Sequence, residues 1–347
     1  ATPLQEWNDE IATQGAHLFP IRRALRFPTR FTRYGLGDKS HKAPNPPAGA
    51  LITYYLSEKL DAPEEPDDET TAETPDSPAT PSGLEEPPER LKIEIVDASG
   101  EVVRTLDSEK LGKEAGLNRV AWDLSTDAAF QRQPPDPAFI EFRGGPRGPM
   151  VLPGLYTVRL TFDDQTHEQE VEVGIDPLVG VSDSDLEEQF RVASELVRMQ
   201  SNLNRGLRGM DVVAEQLAAR RETAERMEIE LSPELKAEWK QHVDAAKELM
   251  DALARAEGKP FWSQGPRLVE QIGNLFGNVD NQFAAPTAAQ MRLLDELRQE
   301  YEVMVDELTR FFDESVPFFN STLEDAGIPG VAIPSLESAG ASARTGR

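Results

Sequence analysis

The chain contains no cysteine, which excludes disulfides, thiolate metal sites and a Cys nucleophile. Histidine is nearly as scarce. Its four copies, His17, His41, His167 and His242, stand apart, and none enters an H-E-x-x-H, nucleophile-elbow or paired-ligand arrangement. His167-Glu168-Gln169-Glu170 begins like a zincin motif but has Val171 where the second His belongs. Long apolar runs are missing too: the longest, Ala50 to Leu56, falls far short of the roughly 20 residues of a membrane helix. No basic stretch followed by an apolar one opens the chain. It starts at Ala1 rather than Met, as a processed or excerpted chain would, so the compartment stays open. Positive charge is in deficit, 36 Lys and Arg against 62 Asp and Glu, for a net −26. That balance argues against nucleic acid or an anionic lipid surface as the main partner.

What is present is enough for packed cores: 347 residues, 38% of them hydrophobic, suggest two or three domains. The most informative stretch is Pro153 to Phe162, where Tyr156, Val158 and Leu160 share one face and Arg159 and Thr161 the other. This period-2 pattern predicts a strand with one dry side, and Asp163-Asp164 predicts the turn of a hairpin. Further strands are expected at Ala50 to Leu56, Leu91 to Val96, Val102 to Leu106, Leu117 to Leu124 and His167 to Val173. Together they predict an immunoglobulin-like β-sandwich over residues 44–177, with Ile93, Ile95, Trp122, Tyr156, Val158 and Leu160 in its core. Two insertions interrupt it. Glu58 to Arg90 holds twelve acids and two bases among prolines and threonines, and is expected to be disordered. Thr126 to Met150, with Pro134-Pro135, Pro137 and Gly144-Gly145-Pro146, is expected to be a long loop. Before the sandwich, residues 1–43 interleave short apolar clusters with Arg22, Arg23, Arg26, Arg30 and Arg33, and read as an extended arm or the end of a propeller.

Residues 178–333 predict helices packed as an antiparallel bundle, so the fold class is multidomain, β then α. Ser182 or Ser184 caps a helix with Asp185, Glu187 and Glu188 at its positive end. Ser232-Pro233-Glu234 opens a second, with Leu235, Trp239, His242, Ala246, Leu249 and Leu253 at alternating spacings of four and three. Thr287-Ala288-Ala289-Gln290 is a capping box before Leu294, Leu297, Tyr301, Met304, Leu308 and Phe311. A shorter helix is expected from Arg267 to Phe276, and residues 334–347 form a small polar tail.

Candidate chemistry is sparse. His242 lies on an apolar seam and reads as a core-edge histidine held by one hydrogen bond. The acids of Ser182 to Glu188 read as helix capping rather than a calcium loop. The most functional-looking segment is Gly273 to Gln282, where Phe276, Asn278, Asp280 and Asn281 offer amides, an acid and an aromatic ring that suit a sugar. The preferred reading of the same residues is a helix C-terminus using Gly or Asn in the left-handed region. No catalytic residue, metal or cofactor is assigned. Acidic residues in excess outside the Glu58 to Arg90 segment as well, with Arg preferred over Lys, suit a halophilic protein in high salt.

The ordered segments His17-Leu18-Phe19, Asn45 to Ala50, Leu51 to Leu56, Ile95 to Gly100, Gly116 to Asp123, Leu152 to Val158, Asp176-Pro177, Ala285-Pro286-Thr287 and Ala326 to Pro329 resemble the C-terminal part of bacterial sortilin-type, BNR-repeat propeller proteins, often labelled glycosyl hydrolases. The resemblance covers most of the chain and implies a β-propeller ahead of it, where any glycosidase-like site belongs. It also implies export to the periplasm, extracellular space or cell surface. No S-x-D-x-G-x-x-W Asp box or blade repeat occurs here, and no family catalytic residue falls on a position of this chain. The expectation is a non-catalytic accessory region, secreted, partnered by the propeller, without nucleic acid or a membrane span. The alternative is a carbohydrate-binding or glycoside-hydrolase-associated module in contact with a glycan.

Overall fold

The computed structural model describes residues 5–28, 47–60, 90–134, 145–228, 231–256 and 263–334. After one helical turn, α1 (Asp9–Ala12), the strands among the described residues are β1 (Ala16–Leu18), β2 (Ala24–Arg26), β3 (Ala50–Leu56), β4 (Leu91–Val96), β5 (Val102–Thr105), β6 (Gly116–Trp122), β7 (Gly154–Phe162) and β8 (Gln165–Ile175). Helices follow: α2 (Asp183–Arg226), α3 (Pro233–Leu253), α4 (Leu268–Asp280), α5 (Ala288–Arg310), a π turn at Phe311–Ser315 and α6 (Val316–Asp325). The order is β then α. By its contacts the chain divides into two units, residues 1–127 with 151–179, and residues 128–150 with 180–347.

The first unit has a three-stranded sheet, β1-β3-β6, and a five-stranded sheet, β2-β8-β7-β4-β5. Alternation sets the register. In β3 Ala50, Ile52, Tyr54 and Leu56 are buried, and in β7 Tyr156, Val158, Leu160 and Phe162. Ile95 pairs with Val158 and Ile93 with Leu160, so neighbouring strands turn apolar rows to the same side. All six residues expected in the core are buried. Trp122, fully buried at the end of β6, donates its indole N–H to Ser125 O (2.9 Å) and meets Tyr156 edge to face at 5.4 Å. Burying a ring of this size contributes on the order of 2–3 kcal/mol. The Tyr156 and Tyr54 hydroxyls donate to Leu152 O (2.8 Å) and Gly112 O (2.7 Å), and burial pushes both phenols up to about 12. Gly49 has φ +98°, and a Cβ there would lie 1.9 Å from Trp122 O, so only glycine fits where β3 meets the end of β6.

Residues 5–28 depart from the expected arm. β1 adds antiparallel to β3, with Leu18 opposite Tyr54, and β2 adds parallel to β8, with Arg26 opposite Ile175. Leu18 and Phe19 are buried, and Arg26 Nη1 donates to Val151 O (2.8 Å). The apolar clusters between the arginines are therefore edge strands of both sheets. Residues 29–46 lie outside the described part, as do 61–89 of the acidic insertion and 335–347 of the tail. The insertion leaves and returns at the sheet beside Arg90, whose guanidinium bonds Glu58 (2.7 Å) and Asp163 (2.8 and 2.9 Å).

In the second unit the predicted caps are present: Ser182 accepts from Asp185 N, Ser232 from Leu235 N, and Thr287 and Gln290 form a capping box. Leu235, Trp239 and Leu253 are buried, as are Leu294, Leu297 and Leu308; the other seam residues are half-buried. α5 and the π turn approach α2 at Gly206 and Gly209, where an added Cβ would meet Leu308 Cδ1 at 2.7 Å and Phe312 Cζ at 2.9 Å. Arg298 clamps Glu195 of α2 through two bonds (2.6 and 2.7 Å), which hold the Glu195 carboxyl below its usual range. The Gly/Pro loop, read as an insertion of the sandwich, groups from residue 128 with the helices. Arg132 clamps Asp211 (2.8 and 2.6 Å), and Asn204 donates to Phe130 O (2.6 Å).

His17 and His167 face each other with ring centroids 6.3 Å apart, and His167 Nε2 is buried without a hydrogen-bond partner among the described residues. Burial lowers both pKa values from the usual histidine value, and the proximity of His167 lowers that of His17 further; burial also lowers His242. The unfolded chain therefore binds protons first. Stability is complete above about pH 6.5 and falls as the pH drops through the folded-state values. The urea midpoint is expected to decline from pH 7 to 5, and less steeply in His167→Gln. An unchanged midpoint over that range would contradict the pairing.

Candidate binding groove

Ion pairs within helices, such as Arg221 with Glu225 (3.0 Å) and Lys240 with Asp244 (2.7 Å), are solvent-exposed and contribute little. A concave apolar surface lies beside them. The C-terminal half of α2 presents Met210, Val213 and Leu217 at spacings of three and four. α3 faces them with Trp239, Val243, Ala246 and Met250, and Phe311, Val316 and Phe319 close the third side. The groove they line has a volume of about 990 Å3. Trp239 packs edge to face on Phe319 at 5.5 Å, and the His242 ring lies 4.5 Å from Phe319 at a tilt of 32°.

Charge at the mouth runs against that of the whole chain. Lys236, Lys240 and Lys247 of α3 and Arg221 of α2 line the groove, with Glu225 the acid among the lining residues. Lys240 and Arg221 are paired as above, whereas Lys236 and Lys247 have no ion-pair partner among the described residues. His242, which the sequence places as a hydrogen-bonded core-edge residue, makes ring contacts and no hydrogen bond among the described residues. Burial lowers its pKa, against a smaller opposing effect of Glu238. The groove thus combines an apolar wall carrying an imidazole with the ammonium groups of Lys236 and Lys247.

The residues singled out in the sequence lie elsewhere. Gly273 to Asp280 form the last turns of α4 rather than a loop, because Leu268, Val269, Ile272, Leu275 and Val279 are buried at helical spacing and outweigh two glycines. The cap, Asn281, is at φ −82° and so avoids the left-handed region. Phe276 is half-buried against the helical core, and Asn278 is exposed, its backbone carbonyl accepting from Gln282 (2.5 Å) and Gln290 (3.2 Å). Asp280 and Asn281 are brought together around Arg147, which bonds Asp280 Oδ2 and Asn281 Oδ1 (3.0 Å), while Met150 N donates to Asp280 Oδ1 (3.0 Å). Asp280, 4% exposed, is thus a structural carboxylate engaged by its own chain. Nothing in the sequence pairs Arg147 with it across more than a hundred residues. The lysine spacing on α3 was the readable signal for the groove. Among the described residues no group of three or more His, Asp or Glu is placed to hold a metal ion. The sequence matches no protein-family model, and comparison with curated proteins and with solved structures finds no match.

Removing one partner of a buried pair leaves the other uncompensated. Asp280→Ala is expected to cost about 3–5 kcal/mol in urea unfolding followed by helical circular dichroism. Arg147→Ala should cost at least as much, because it leaves the carboxylate of Asp280, its side chain 2% exposed, with the Met150 N–H alone. Equal, negligible losses would remove the structural role given to Asp280.

Proposed function

We propose that this chain is a non-catalytic accessory region for structure and interaction, of the kind that follows the propeller in sortilin-type BNR-repeat proteins. Its two sheets are read as an immunoglobulin-like sandwich and its helices as an antiparallel bundle. The observation that carries the reading is the groove: a large concavity with apolar walls, whose charged and polar lining is Lys236, Lys240, Lys247, Arg221, Glu225 and His242. Such a surface suits a partner or ligand with an apolar body and a charged group. The resemblance adds export to the periplasm or cell surface and a propeller as partner, and the acidic composition fits high salt.

The carbohydrate-binding alternative, placed on Phe276, Asn278, Asp280 and Asn281, is weakened by the enclosure of Asp280. Chromogenic glycosides and a glycan array test both readings: neither turnover nor retention is expected. Hydrolysis by this chain, or glycan retention abolished by Asn278→Ala, would overturn the accessory reading. Intact mass of the native protein tests the family part, the expected result being a propeller-sized extension.

A further inference from the structure

The groove is long and one-sided in charge. From Lys236 to Met250 it follows α3 over roughly 21 Å at 1.5 Å per residue. Arg221 and Glu225 occupy the last two turns of α2 and Lys236 the first turn of α3, so one end carries a paired arginine and an unpaired ammonium group. Lys236 also sits beside the positive end of the α3 dipole, behind the Ser232 cap. Toward the other end lie Met210 and Met250, whose flexible thioethers adapt to an irregular apolar ligand. Between them the walls are Val213, Leu217, Trp239 and Phe319, with Lys240 and Lys247 among the lining residues.

We infer that the groove binds a free long-chain fatty carboxylate, its hydrocarbon tail along α3 and its carboxylate on the ammonium group of Lys236. Charge complementarity selects an anion, since four cations and one acid line this surface of a chain whose net charge is −26. Size admits a single extended chain running the length of the groove. A sixteen-carbon tail, at no more than about 30 Å3 per carbon, needs under about 500 Å3 and leaves room for waters around the head group. The apolar lining supplies the affinity, each buried methylene adding to it before the cost of association. The lysine supplies the preference for an acid over an alcohol.

The test uses the full chain after lipid extraction, titrated with cis-parinaric acid and followed by its fluorescence, then competed with palmitate and with hexadecanol. Saturable binding displaced by palmitate, with hexadecanol weaker by about tenfold, is the expected result, this being the order of one charge-assisted hydrogen bond. Lys236→Glu should weaken palmitate by a similar factor. Ala214→Trp, which projects an indole into the groove, should abolish binding with the circular dichroism retained; if it unfolds, Val243→Trp takes its place. No saturable binding, equal affinity for acid and alcohol, or binding indifferent to both variants would overturn the assignment. So would capture by phosphatidylglycerol vesicles without binding of the free acid, which assigns the surface to a membrane. Glycoside turnover would end the accessory reading and leave this result untouched.

Discussion

One buried carboxylate fixes how the second unit is assembled. Asp280 ends α4, and its two oxygens hold the guanidinium of Arg147 and the backbone N–H of Met150. These groups belong to a segment lying in sequence between β6 and β7, so a stretch flanked by strands is packed among helices. Arg132 on Asp211 and Phe130 on Ser201 and Asn204 fasten its other end. Both units are consequently built from two separate chain segments. Pairing β7 with β4 closes a loop that includes the whole excursion, and such non-local closure slows folding more than it weakens the folded state.

Within the first unit the comparable constraint is Trp122. Its ring needs the space under Tyr156, and its carbonyl occupies the place where a side chain at position 49 would be. Exposed ion pairs around these sheets, such as Arg159 with Glu168 and Arg23 with Glu172, add little by comparison. Acidic excess is therefore a property of the surface and its solvent, while the folded state rests on the apolar rows of β3, β4 and β7.

Legibility followed how locally each element is determined. β4 and β7 were readable because alternation over six or more residues is written in the strand itself, β3 because it is a short apolar run, and the three helix starts because a cap is a short-range signal. β1 and β2, three residues each, carry no period and exist through the partners that pair with them. The two glycines and two asparagines of Gly273 to Asp280 read as a helix end beyond Phe276, yet five buried aliphatic residues in register carry the helix on to Asp280. Arg147 with Asp280 is a tertiary pairing between a loop and a helix end, for which no spacing rule exists. The groove was half legible: the seam of α3 was visible as apolar, but a seam residue faces a packed neighbour or an open groove according to the helices beside it.

The groove also bears on the charge argument made from composition. A net −26 repels anions at long range, which disfavours polyanions such as nucleic acid and anionic bilayers that must approach a large area. At physiological ionic strength, however, the screening length is only about 8 Å. A single carboxylate on Lys236 therefore responds to that ammonium group and the start of α3 more than to the distant acids of the chain. Global charge filters large anionic partners, and local charge is free to admit a small one, so a strongly acidic protein and an anion-accepting groove are compatible. The same separation of scales explains why a charge count that argues against nucleic acid and anionic lipid surfaces leaves a small anion open.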